Sequence, residues 1–155
     1  MTEESHPMRS SLTHLALHVR SIEASVAFYE GFTSLRVVER HSDTDSTGME
    51  VAWLGEPHVG EARADFVLVL QEGTPRFPAG AEPQSPLAPI SHLGFASPSR
   101  EVVDEVASRA ERAGILRFGP EFLNPNAGYL CIVADPDGHH VEISHGQALG
   151  PYAGT

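Results

Sequence analysis

Two stretches of this chain, 78 residues apart, follow one plan, and that duplication limits the possible folds more than any other feature. His14 lies seven residues before Ser21 within LTHLALHV (12–19), and His92 lies seven before Ser99 within ISHLGFAS (90–97). Each stretch alternates apolar and small or polar residues with the two-residue period of a strand. In each case a serine follows that can cap a helix, and then three further strand candidates. A unit of one strand, one helix and three strands is too small to bury both faces of its own sheet. Two such units must therefore pack as one domain.

In the first unit, helical spacing puts Ile22, Val26 and Tyr29 on one stripe, with Gly31 as the expected end. Strands are expected at 35–41, 49–54 and 66–71. In the second unit, Val102, Val103, Val106, Ala107 and Ala110 form the predicted buried stripe of a longer helix that ends at Gly114. Strands are expected at 115–118, 128–134 and 139–144, the last two joined by a tight turn at Asp135-Pro136-Asp137-Gly138. Five prolines between Glu72 and Pro89 mark a linker. The expected organisation is a tail (1–11), module one (12–72), a linker (73–89), module two (90–147) and a second tail (148–155). The class is α+β.

Composition narrows the partners. With 10 basic and 21 acidic residues the formal charge is −11, a field that repels phosphate backbones and anionic membranes, so no nucleic acid and no membrane surface is expected. A small-molecule substrate is the expected partner. No stretch reads as a signal peptide or a spanning segment, and the lone Cys131 cannot form an internal disulfide, which together point to a cytoplasmic protein. Nine histidines are many for 155 residues.

Alternation decides where the important ones point. If Leu15, Leu17 and Val19 face the helix, then His14, Ala16 and His18 face away; likewise Leu93 and Phe95 face the helix while His92 faces away. In HHVEIS, Val141 and Ile143 take the helix side and leave His140, Glu142 and Ser144 on the other. A carboxylate directed into a cavity is costly unless a cation or hydrogen bonds meet it. Two imidazoles and one carboxylate, His14, His92 and Glu142, form a set that can bind a divalent metal and leave positions open for substrate. Fe2+ is the favoured ion for such a triad, with Mn2+, Ni2+, Co2+ or Zn2+ as other occupants. His18 lies roughly 13 Å from His14 and His140 roughly 6.6 Å from Glu142 at 3.3 Å per residue. Either imidazole can carry a proton at neutral pH and is a candidate catalytic group. Trp53, Phe77 and Tyr129 could wall a pocket. Cys131 has no evident base beside it and is not expected to act as a nucleophile.

Three segments, THLALHVRSIEASVAFYEG, SHLGFASPSREVVDEVASRAERAG and ADPDGHHVEISHG, resemble the vicinal oxygen chelate superfamily, the group of glyoxalases, bleomycin-resistance proteins and extradiol dioxygenases. The resemblance implies paired βαβββ modules forming a cupped, eight-stranded mixed sheet around a metal that holds a substrate by two neighbouring oxygens. It places the metal ligands on His14, His92 and Glu142, and it implies a homodimer. Glyoxalase I carries a fourth ligand, a glutamate, at the position of Val69, which cannot ligate. The extradiol signature is matched at Pro136, Gly138 and Glu142, but its tyrosine falls on Ile132 and its upstream histidine has no counterpart at Asn124 to Asn126. The fosfomycin-type thiol transferases have a similar last hairpin. Their threonine falls on Ala16, and Arg117 is the nearest basic candidate for substrate binding. Three ligands without a fourth favour Fe(II) dioxygenase-like chemistry, with lyase, isomerase or thiol-transferase chemistry as alternatives. A metal-free, drug-sequestering protein of the bleomycin-resistance kind is the competing class, since a strongly negative chain suits a cationic ligand.

Overall fold

The computed structural model describes residues 11–43, 48–56, 66–74 and 84–153. Its elements are β1 (His14–His18), α1 (Ile22–Phe32), β2 (Arg36–Asp43), β3 (Met49–Gly55), β4 (Val67–Glu72), β5 (His92–Ala96), α2 (Arg100–Arg112), β6 (Leu116–Asn124), β7 (Gly128–Ala134) and β8 (His140–His145). The strands divide into two four-stranded mixed sheets, ordered β1-β4-β3-β2 and β5-β8-β7-β6. In each, the first strand of the unit pairs in parallel with the last, so β1 and β5 occupy equivalent edges. This is the paired βαβββ arrangement expected from the duplication.

Both helices start where the sequence places them. Ser21 Oγ accepts the Ala24 N–H at 3.2 Å and Ser99 Oγ accepts the Val102 N–H at 3.4 Å, which satisfies donors that the first turn leaves unpaired. The end of α1 differs from expectation. The helix passes through Gly31 to Phe32, because Phe32 stacks on Phe28 at 5.1 Å between centroids and the Thr33 N–H still finds the Tyr29 carbonyl at 3.0 Å. In α2 the buried stripe is Val103, Val106, Ala107 and Ala110, while Val102 is 37% exposed. Positions 103, 106, 107 and 110 follow the i, i+3, i+4, i+7 spacing, and Val102 sits off that face.

Strand β6 is longer than the expected 115–118. It continues across Gly119-Pro120 to Asn124, with register shifts on either side. Proline gives a sheet no donor, but β6 is an edge strand and the irregular pairing absorbs the loss. The tight turn between β7 and β8 closes with the Gly138 N–H on the Asp135 carbonyl at 3.0 Å.

One buried cluster joins the units. It contains Leu17, Leu54, Leu70 and Tyr29 from the first and Val103, Val133, Val141 and Ile143 from the second. Polar contacts between the halves surround it. The Tyr29 hydroxyl donates to Asp135 at 2.8 Å, and Arg20 donates to Asp137 through its backbone N–H and its guanidinium. From the linker, Gln84 Oε1 accepts the His18 N–H, while its carboxamide also lies 2.8 Å from the ring of fully buried His139. Phe77 and residues 75–83 of the linker lie outside the described residues.

Candidate metal-binding site

The register of the second sheet puts the expected chemistry on one face. His92 pairs with His140 and Gly94 with Glu142, so His92, His140 and Glu142 project from the same side of two adjacent strands. His92 Nε2 lies 3.5 Å from Glu142 Oε2. On its other side the imidazole Nδ1 is 2.7 Å from the Ile90 carbonyl oxygen. A carbonyl only accepts, so Nδ1 carries a proton, and Nε2 is the nitrogen turned toward the carboxylate. A proton on Nε2 makes this contact an ion pair, and a divalent cation in its place would be met by the same two atoms. A ring fixed through its far nitrogen onto a backbone carbonyl is also the usual support of a metal-binding histidine.

Glu142 is 8% exposed, and its second oxygen is also engaged: Oε1 accepts from Gln147 Nε2 at 2.7 Å. His140 Nδ1 donates to the Pro89 carbonyl at 3.1 Å, which leaves Nε2 free on the face shared with His92.

His14 stands elsewhere. It lies on the edge strand of the first sheet, exposed, with Nδ1 2.9 Å from Thr13 Oγ1. Among the described residues no group of three His, Cys, Asp or Glu side chains is placed to hold a metal. The structure thus brings His92 and Glu142 together and does not bring His14 to them within one chain. Alternation in the sequence gives the face of each strand but not the relation between two separate sheets.

The remaining candidates divide. Val69 pairs with Ala16 on one side and Trp53 on the other, so both Val69 and Trp53 share the His14 face, where the Trp53 ring meets His41 edge-on at 5.9 Å. His18 shares that face too, but its Nε2–H donates to the Gly73 carbonyl at 2.7 Å and ties β1 to the end of β4. Tyr129 does not face the His92 side. It pairs with His145, on the parity of Cys131 and Val133, and its hydroxyl donates to Asp104 of α2 with Arg100 5.0 Å above the ring. Arg117 is likewise removed from the site, since its guanidinium donates to the carbonyls of Gly114, in the turn after α2, and Leu116, at the start of β6. Cys131 is fully buried, its Sγ against the Val103 carbonyl, and burial pushes its thiol up to about 11, helped by the Asp104 and Glu142 charges. It is no nucleophile.

Neither Gln147 nor the segment beyond it stands out by motif or period along the chain. After β8 the chain turns at Gly146 (φ +85) and folds back, so that a Cβ built on Gly150 would lie 3.1 Å from the Ala96 Cβ. Gly150 and Pro151 then border a cavity of about 560 Å³ along the open edge of β5, lined by Leu35, Phe66 and Leu68 on one side and His92 and Phe95 on the other.

A family model described as Glyoxalase/Bleomycin resistance protein/Dioxygenase superfamily matches residues 11–143. The chain belongs to this superfamily. An uncharacterized protein of Pseudomonas aeruginosa, PA2024, is 40% identical over 144 residues, covering 93% of this chain and 94% of its own. Among solved structures, a mutant of the fosfomycin resistance protein FosX from Listeria monocytogenes, complexed with Mn(II) and 1S,2S-dihydroxypropylphosphonic acid, superposes with a TM-score of 0.63 at 20% identity, covering 88% of this chain and 93% of that one. Glyoxalase I of Leishmania major gives a TM-score of 0.60 at 18% identity, covering 89% of this chain and 88% of that one. At such identities these likenesses speak for the fold, two βαβββ units in one chain. No described helix of this superfamily member is long and apolar enough to cross a membrane.

Proposed function

We propose that this protein is a divalent-metal-dependent enzyme of the vicinal oxygen chelate type, acting on a small substrate with two adjacent oxygens. The observation that carries the reading is His92 Nε2 standing 3.5 Å from Glu142 Oε2, with each side chain held from behind, by the Ile90 carbonyl and by Gln147. A metal bound there supplies Lewis acidity toward two neighbouring substrate oxygens, or redox chemistry if it is iron.

The third ligand of the reading is His14, from a second copy of the chain. His92 and Glu142 sit on and beside β5, and His14 sits on β1, the equivalent edge strands of the two sheets, which no second described strand pairs. Edges left unpaired in this way are sites where another chain associates. A two-fold dimer that sets β1 of one copy beside β5 of the other brings His14 to the pair twice over. His140, with Nε2 free beside His92, is the candidate to take or give a proton to bound substrate. His18 is the weaker catalytic candidate, since Gly73 holds its Nε2. Trp53 and Val69 share the face of His14 and would wall the same site from the second copy.

The finer reading is Fe(II) dioxygenase-like chemistry. Val69, buried at 7%, occupies the position where a fourth, carboxylate ligand would stand, which leaves more coordination positions for substrate and a second reactant. The test is element analysis of protein purified aerobically and anaerobically, together with oxygen uptake on a panel of catechols and 2-hydroxy ketones. Stoichiometric iron whose removal abolishes oxygen uptake supports the dioxygenase. Manganese, nickel or zinc with no oxygen dependence moves the assignment to lyase, isomerase or thiol-transferase chemistry. A protein that binds no metal at the His92–Glu142 pair removes the enzyme reading and favours sequestration of a cationic ligand.

A further inference from the structure

We propose that Gln147 is a positioning residue that decides which oxygen of Glu142 is offered to the metal. The proposal rests on the metal-site reading above.

A carboxylate on an alternating strand can rotate about its last bond and present either oxygen, and a ligand free to do so loses conformational freedom when it binds. Here the two oxygens are not equivalent. Oε1 takes the Gln147 carboxamide N–H at 2.7 Å, and Oε2 is turned toward His92. Gln147 is itself held in place. Gly146 (φ +85) reverses the chain directly after β8, and Gly128 (φ +76) lies so close beneath it that an added Cβ would fall 2.3 Å from the His145 carbonyl oxygen and 3.1 Å from the Gln147 nitrogen. His145 ties the same corner to the Ser97 carbonyl through Nδ1 at 3.0 Å. The corner is thus fixed to β7 and to the residue following β5, the two strands that flank β8. A carboxamide suits the role, because it donates without adding charge beside a group that must stay negative to ligate.

Gln147→Leu removes the donor and keeps the bulk; Gln147→Ala removes both. Mn2+ titration of the chelator-treated full-length protein by calorimetry, the Co2+ absorption spectrum and the apo-protein Tm are measured for each variant and the wild type. The expected result is Mn2+ affinity about ten- to hundredfold weaker in both variants and an altered Co2+ spectrum, with the apo Tm held. Unchanged affinity and spectrum, or affinity falling only in step with Tm, overturns the proposal while leaving the metal site in place. A wild type that binds no Mn2+, Co2+ or Fe2+ overturns the metal-site reading itself, and this inference with it.

Discussion

Tyr29, on the helix of the first unit, donates its phenolic hydrogen to Asp135, at the turn between β7 and β8 of the second, and both side chains are buried. Asp135 is the centre of a small network. Its Oδ1 accepts the backbone N–H groups of Asp137 and His139, which fixes the turn leading into β8, while Oδ2 reaches across to the helix. The strand that carries Glu142 is therefore held at its entrance by a residue from the other half of the duplication.

Replacing Tyr29 by Phe leaves Asp135 Oδ2 buried without its partner. A stability loss of about 1–3 kcal/mol is expected, measured by urea unfolding at pH 7. Burial, and then the Asp135 carboxylate, hold the phenol well above its ordinary range. A group with a raised native pKa contributes stability that is full below its unfolded value of about 10 and is lost as pH rises above it. Wild-type stability should therefore fall with a steeper slope than that of Y29F above that pH. Parallel slopes would count against the contact.

Cys131 should be inert to thiol reagents in the native state. Its thiol is pushed up to about 11, first by burial and then by the Asp104 and Glu142 charges. Ellman's reagent at pH 8 should label it only after unfolding in urea, so native labelling at the rate of a free thiol would contradict the packing.

If His14 completes the site from a second copy, two inactive variants should rescue one another. His14→Ala and His92→Ala each lose the metal, but random mixing makes half the dimers hybrid, with one of two sites intact, so about a quarter of wild-type metal occupancy should return. Recovery of none, with hybrids verified by mass spectrometry, would show that His14 serves no site in the other copy.

Gly128→Ala should cost more than Gly146→Ala. Both glycines have positive φ, where an L-residue loses about 1–2 kcal/mol, but only at Gly128 does the new Cβ collide with backbone, at 2.3 Å. Thermal unfolding of the two variants checks the order. Equal losses would mean that the corner beneath Gln147 relaxes freely.

Much of the fold could be read along the chain because its elements obey simple periods. The faces of β1, β5 and β8 follow strict alternation, and serine caps open both helices, so the side on which His92, His140 and Glu142 stand is legible before any coordinates. Where the period breaks, the reading fails. Gly119-Pro120 looks like the end of a strand, yet β6 runs through it because an edge strand tolerates irregular pairing. Tyr129 and Arg117 look like pocket residues by chemistry, but parity turns the first onto Asp104 and the carbonyls of the α2–β6 turn and of Leu116 take the second. His14 shows the deeper limit. A two-residue period fixes direction within one sheet and is silent on how two sheets meet. Gln147 lies past the last periodic element, and only the path of the backbone brings it to Glu142.

The folding back of residues 146–151 has a practical side. Because Gly150 and Pro151 border the groove that His92 lines, a histidine-rich segment placed next to Pro151 would lie within reach of the candidate ligands. A polyhistidine tail attached there would offer competing imidazoles to any ion the protein takes up. Element contents measured on material carrying such a segment would describe the handle as much as the protein.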